Sequence, residues 1–210
     1  MKYKIGSFFI LILLLTAAGC EKKPVTLKEP KLSVYEAAGA GDIELLLQHI
    51  KYGSQLSKRE TPQLLAPLHN AVREEQVETT ALLVEAGAVV AMRDRLGMTP
   101  LYYAAVYGDI DIAVILINSG ADVNAKAKYG SVPLPAASVE GHLAMVKLLI
   151  DHNANVNAVN IPGDTPLISA ADHAQIHIVK LLLEKGANIN SIDNKTGGYS
   201  IALCCRDSSD

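Results

Sequence analysis

Two residue types in this 210-residue chain could do chemistry of their own: cysteine, at positions 20, 204 and 205, and histidine, at six positions. Cys204 and Cys205 are adjacent, which in an oxidising compartment suggests a disulfide. A bond between neighbours is strained, because bridges want Cα atoms about 5.5 Å apart and consecutive Cα atoms stand about 3.8 Å apart. Burial as two small free thiols is the simpler expectation, with a mixed disulfide to a partner as the alternative. His173 and His177 lie four apart and could suggest a metal pair. No Cys or carboxylate completes a set with ligand spacing, so no metal is expected. The chain carries no glycine-rich phosphate loop, no Ser-His-Asp arrangement and no recognisable motif of paired carboxylates. The expectation is therefore a protein that is not an enzyme, with no catalytic residue and no cofactor.

Cys20 differs from the other two because of what precedes it. Lys2 and Lys4 lead into Phe8-Phe9-Ile10-Leu11-Ile12-Leu13-Leu14-Leu15, then the small residues Ala17-Ala18-Gly19, then Cys20. That order is the pattern of a signal peptide. A transmembrane anchor is the competing reading, but the uncharged stretch from Ile5 to Gly19 is shorter than the roughly 20 residues that span a bilayer. The tripeptide before Cys20 resembles the lipobox of bacterial lipoproteins, with Ala17 where Leu is usual. The resemblance implies cleavage before Cys20, a thioether-linked diacylglycerol on its sulfur and acylation of the freed amine. Several acyl chains hold firmly, since each buried methylene contributes about 0.8 kcal/mol. Glu21 stands where an Asp would retain such a lipoprotein in the inner membrane. The expected location is the bacterial envelope, at the periplasmic face of the outer membrane. The stretch from Glu21 to Lys31 has charge and proline but no apolar period, and reads as a tether reaching at most about 35 Å.

Beyond the tether, half of the chain is apolar while aromatics make up 5% and Trp is absent, so the core must be Ala, Leu, Ile and Val in closely packed helices. Removing Lys2 and Lys4 from the 19 basic residues leaves 17 against 22 acidic ones, a formal charge of −5. Nucleic acid is not an expected partner, because no concentrated basic face is visible.

Pro67, Pro100, Pro133 and Pro166 recur with a period of 33 residues. They stand in Ala66-Pro67-Leu68-His69-Asn70-Ala71, Thr99-Pro100-Leu101-Tyr102-Tyr103-Ala104, Val132-Pro133-Leu134-Pro135-Ala136-Ala137 and Thr165-Pro166-Leu167-Ile168-Ser169-Ala170. Each is followed in register by a Leu/Ile-rich segment and a turn, the fullest being Gly120-Ala121-Asp122-Val123-Asn124-Ala125. These motifs resemble the Thr-Pro-Leu-His-x-Ala and Gly-Ala-Asp-Val-Asn-Ala signatures of the ankyrin repeat. The residues explain the unit without the resemblance. Thr caps a helix and Pro suits its first turn. Small pairs, Ala104-Ala105, Ala136-Ala137 and Ala170-Ala171, let first helices approach. Apolar triplets such as Leu148-Leu149-Ile150 in the second helix cannot be buried by one repeat. Gly87, Gly120, Gly186 and, as substitute, Asn153 fall where that helix needs a left-handed stop.

The expected fold is thus all-α, an ankyrin-repeat solenoid of about five helix-pair repeats plus a C-terminal half repeat ending at Cys205. The divisions are 1–19 signal peptide, 20–32 lipidated tether, 33–205 repeat domain and 206–210 tail. The first unit, Ser33 to Lys58, reads as an N-terminal cap, with Gln48-His49 giving it a polar outer face where later repeats have pairs such as Leu148-Leu149. The resemblance makes His69 and His142 structural, and puts Ala174 at a helix break between His173 and His177.

In ankyrin repeats the concave face is built from loop tips and exposed first-helix positions. Carried over by register, that implies a protein-binding face of Arg95, Met98, Tyr103, Tyr107, Lys128, Tyr129, Val139, Glu140, Ile161, Asp172 and His173. Tyr and Arg are enriched at binding hot spots, though Tyr103 could instead pack between helices. The expected function is protein–protein interaction by a lipid-anchored monomer, as scaffold or binding module. The alternative is an inhibitor or immunity protein against a periplasmic toxin or cell-wall enzyme.

Overall fold

The computed structural model describes residues 31–160 and 163–191. The expected leader, Cys20, most of the expected tether, Ile161, Pro162 and the expected half repeat with Cys204 and Cys205 lie outside the described residues. Five helix pairs follow one another: α1 Val34–Ala40 with α2 Ile43–Tyr52, α3 Pro67–Arg73 with α4 Val77–Glu85, α5 Pro100–Tyr107 with α6 Ile110–Asn118, α7 Pro133–Val139 with α8 Leu143–Asp151, and α9 Pro166–Asp172 with α10 Ile176–Glu184. No strand occurs among the described residues. The protein is an all-α repeat solenoid, as expected from its periodicity.

Local chemistry sets the helix boundaries. The hydroxyls of Thr99 and Thr165 accept from the backbone N–H groups of Tyr102 and Ile168, and proline occupies the first turn that follows. Ala66 has no hydroxyl at the same register, and its own N–H donates instead to His69 Nδ1 at 3.1 Å. The second helices end at left-handed residues, Gly87, Gly120 and Gly186 with Asn153 at φ 67°. Ala174, at φ 54°, breaks the chain between α9 and α10 and separates His173 from His177.

Packing then curves the array. Successive first helices, α1, α3, α5, α7 and α9, sit closer together than successive second helices, which places the first helices on the inner side. Their approach is possible because Ala37-Ala38, Ala104-Ala105 and Ala170-Ala171 are buried between them. In α7 the buried pair is Ala137-Ser138, not the expected Ala136-Ala137. The 33-residue register aligns Ser138 with Ala105 and Ala171, and its hydroxyl donates to the Leu134 carbonyl at 2.8 Å, so burial leaves it satisfied. Between layers, Leu68, Leu101, Leu134 and Leu167 of the first helices and Leu83, Leu116, Leu149 and Leu182 of the second are fully buried. Each contributes roughly 1.5–3 kcal/mol on leaving water.

Turns stitch the repeats together. Asn124 accepts from the Asn155 N–H at 2.8 Å and donates to the Asn153 carbonyl, and Asn157 does the same toward Asn188 and Gly186. His142 donates to or accepts at the preceding repeat only through Nε2, 3.0 Å from the Val106 carbonyl, so there it is the donor. The expectation of a polar outer face at Gln48-His49 holds for Gln48 and fails for His49. Gln48 is exposed, whereas His49 is buried, its ring nitrogens 2.9 Å from the Ser54 hydroxyl and 2.8 Å from the Leu32 carbonyl. The imidazole takes the leucine's place in the packing and uses its polar atoms to fasten the incoming chain. Among the described residues no helix is long and apolar enough to cross a membrane.

Candidate protein-binding face

The inner side of the curve carries the first helices and, at its rim, the loops that join one repeat to the next. The loop before α5 is organised by Asp94, which is buried. Its Oδ1 accepts from the Leu96 and Met98 N–H groups, both at 2.8 Å, and its Oδ2 accepts from the Tyr103 hydroxyl at 2.7 Å. His69 reaches the same loop from the preceding repeat. Because its Nδ1 accepts from Ala66, its Nε2 carries the proton and donates to the Met98 carbonyl at 3.2 Å. Burial lowers the His69 pKa, with the Met98 carbonyl and Asp94 opposing that shift. His69 is a structural residue, as its register implied.

The aromatic residues gather around this loop. Tyr103 stands edge-to-face with His69 and with Tyr102, at centroid distances of 6.0 and 6.2 Å. Burial and the Asp94 carboxylate raise its pKa, so its hydroxyl is a fixed donor. Tyr103 is half-buried and engaged within the array, which is the packing role weighed above. Tyr107, at the end of α5, is exposed, and its hydroxyl lies close enough to Arg73 to raise the guanidinium's pKa. Burial raises the Tyr102 pKa, helped by Glu140 and Asp94.

Of the other expected positions, Arg95, Lys128, Tyr129, Glu140, Asp172 and His173 are exposed, while Met98 and Val139 are half-buried. Ile161 lies outside the described residues. Val139, Asp172 and His173 share a pocket of about 160 Å³ with Tyr102, Asn160 and Asp164. Arg95, Lys128 and Tyr129 sit apart from it, on the loop tips. A larger depression of about 550 Å³ opens where α2 and α4 end, lined by turn residues from Gly53 to Lys58 with Ala86 and Gly87. Sequence reasoning missed Tyr102 and Asp94. Tyr102 was legible as a departure, since it stands where the signature has His, as His69 does one repeat earlier. Among the described residues no three His, Cys, Asp or Glu side chains group as they would around a metal ion.

A family model described as ankyrin repeats, in three copies, matches residues 34–127 and again residues 124–193. Repeats of this kind are typically binding scaffolds without enzymatic activity. With its helix pairs stacked in register and most of its length matched, the chain belongs to the ankyrin-repeat family and is built as a protein–protein interaction module.

Proposed function

We propose that this chain is a lipid-anchored envelope protein that docks another protein on the inner face of its repeats, as a scaffold. The observation that carries the docking face is the pocket of Tyr102, Val139, Asp172 and His173, with Tyr107 exposed at the end of α5, another of the inner first helices. It combines an apolar floor, an aromatic wall and polar groups at its edge, the mixture that makes a hot spot. Its aromatic wall, Tyr102, packs edge-to-face on Tyr103, which Asp94 fixes, so that wall needs little ordering on binding. The anchor rests on the leader and Cys20. A lipid at Cys20 and a short tether keep the array beside the membrane, which raises its effective concentration toward partners in the same layer.

Cross-linking in intact cells followed by mass spectrometry tests the docking face. Wild type is expected to capture a defined partner that Tyr107→Ala and His173→Ala lose. Equal recovery by all three rejects the face. A toxin or cell-wall enzyme as the captured protein turns the scaffold into an inhibitor. Separately, Cys20→Ser is expected to leave the membrane fraction, and its retention there rejects the lipid anchor.

A further inference from the structure

We infer that the row of loop tips beside the inner face takes an acidic, partly apolar segment of the partner protein. This rests on the docking reading above and adds the partner's chemistry. Three successive tips expose Arg59, Arg93, Arg95, Lys126 and Lys128. None of these five makes an ion pair with a described residue; the salt bridge at these tips joins Lys58 to Glu60 at 3.8 Å. Asp94, the other carboxylate there, is buried and already accepts three hydrogen bonds. The row is therefore locally cationic on a chain whose formal charge is −3. Such unpaired charge attracts and orients an anionic ligand.

Apolar groups alternate with the cations. Leu96 follows Arg95 and Tyr129 follows Lys128, one repeat apart, and the two side chains are 47% and 67% exposed. The tips are joined edge to edge: Arg95 N–H donates to the Gln63 carbonyl at 2.7 Å and Lys128 N–H to the Leu96 carbonyl at 2.8 Å. Arg93 reinforces the joint, donating to the Gly97 and Lys126 carbonyls. Tyr129 holds φ at 62°, a left-handed conformation that strains a bulky residue. A strained, solvent-exposed aromatic on a rigid row is a contact group in waiting. Carboxylates on the ligand would meet Arg95 and Lys128, and apolar side chains Leu96 and Tyr129. A broad polyanion fits less well. A membrane surface or duplex would also face the anionic remainder of the chain within a screening length of about 8–10 Å.

The test titrates the full chain against a labelled synthetic peptide alternating Glu with Leu. A Gln–Leu peptide and vesicles of phosphatidylglycerol with phosphatidylcholine serve as comparisons. The expected result is binding of the Glu–Leu peptide that weakens with salt and falls about tenfold in Arg95→Ala/Lys128→Ala. The charge-matched pair Lys147→Ala/Lys180→Ala, exposed on second helices, should bind as wild type. Arg95→Gln/Lys128→Gln keeps the stems and should behave like the alanine pair, and circular dichroism checks that each variant folds. Equal binding of the Gln–Leu peptide, undiminished affinity in both Arg95/Lys128 variants, or displacement of the peptide by vesicles overturns the proposal. In the cell, partners lost by Tyr107→Ala but kept by Arg95→Ala/Lys128→Ala overturn it while leaving the docking face intact. Partners kept by every variant remove the docking face itself.

Discussion

The loop tips at 94–98 and 127–131 occupy equivalent places one repeat apart, yet they are held by different means. In the first, the Asp94 carboxylate gathers two backbone N–H groups and a tyrosine hydroxyl, and His69 fastens the Met98 carbonyl. In the second, Ala127 stands at the register of Asp94 and Tyr102 at that of His69. No side chain is there to brace the loop. The backbone bond that closes it, from Ala127 N–H to the Ser131 carbonyl at 2.8 Å, has its counterpart in the first tip, from Asp94 N–H to the Met98 carbonyl at 3.0 Å, but here both Tyr129 and Gly130 are left-handed. A side-chain brace leaves one residue per tip in the left-handed region, Gly97, whereas its absence costs a second, Tyr129. Leu96, at the register of Tyr129, is exposed in the braced tip as well, so what accompanies the missing carboxylate is the left-handed backbone at Tyr129 and not its exposure.

Removing the brace should have the largest effect. Asp94→Ala leaves the Leu96 and Met98 N–H groups and the Tyr103 hydroxyl without their acceptor, and is expected to destabilise by about 2–3 kcal/mol in chemical denaturation. A loss under about 0.5 kcal/mol would show that the tip is held by its backbone alone, like its neighbour. Acid should act on the same tip through His69. Its pKa is lowered in the folded state, so the unfolded chain binds the extra proton. The stability from burying the neutral ring is complete above 6.5, its ordinary value, and is lost as pH falls from there toward the folded-state pKa. Protonation at Nδ1 would also remove the acceptor for Ala66 N–H. Thermal melts at pH 7.5 and 5.5 should therefore differ more in wild type than in His69→Gln, and equal differences would refute the assignment. The smallest effect is expected from transplanting the brace. Ala127→Asp should stabilise by about 1 kcal/mol or less, read by chemical denaturation.

Much of the fold was legible because repeats multiply a weak signal. One Thr-Pro pair suggests a helix start, while four prolines in register make a solenoid. Two particulars misled for different reasons: the 33-residue count itself aligns Ser138 with Ala105 and Ala171, whereas burial of His49 depends on partners that only the folded chain supplies. Ser138 lay where Ala136-Ala137 suggested a small apolar pair, and the Leu134 carbonyl made its hydroxyl acceptable. His49 was expected on a polar outer face, but Ser54 and Leu32 supply partners that allow it inside. Tyr103 is engaged with Asp94, whereas exposure at most of the other proposed binding positions was readable, because it follows helical and loop register. Their separation into a pocket and a cationic row was not.

The sequence by itself determined the repeat unit, the helix starts and stops, and the composition of the layers, since these depend on local backbone preference and on apolar period. Tertiary structure alone decided which polar groups are occupied. Asp94, 9 residues before Tyr103, becomes its acceptor only once the loop folds back over α5. His69 meets Met98 across 29 residues because two repeats stack. That accounting, a matter of three-dimensional neighbours, is what leaves Arg95 and Lys128 without an ion pair among the described residues and Tyr129 facing water.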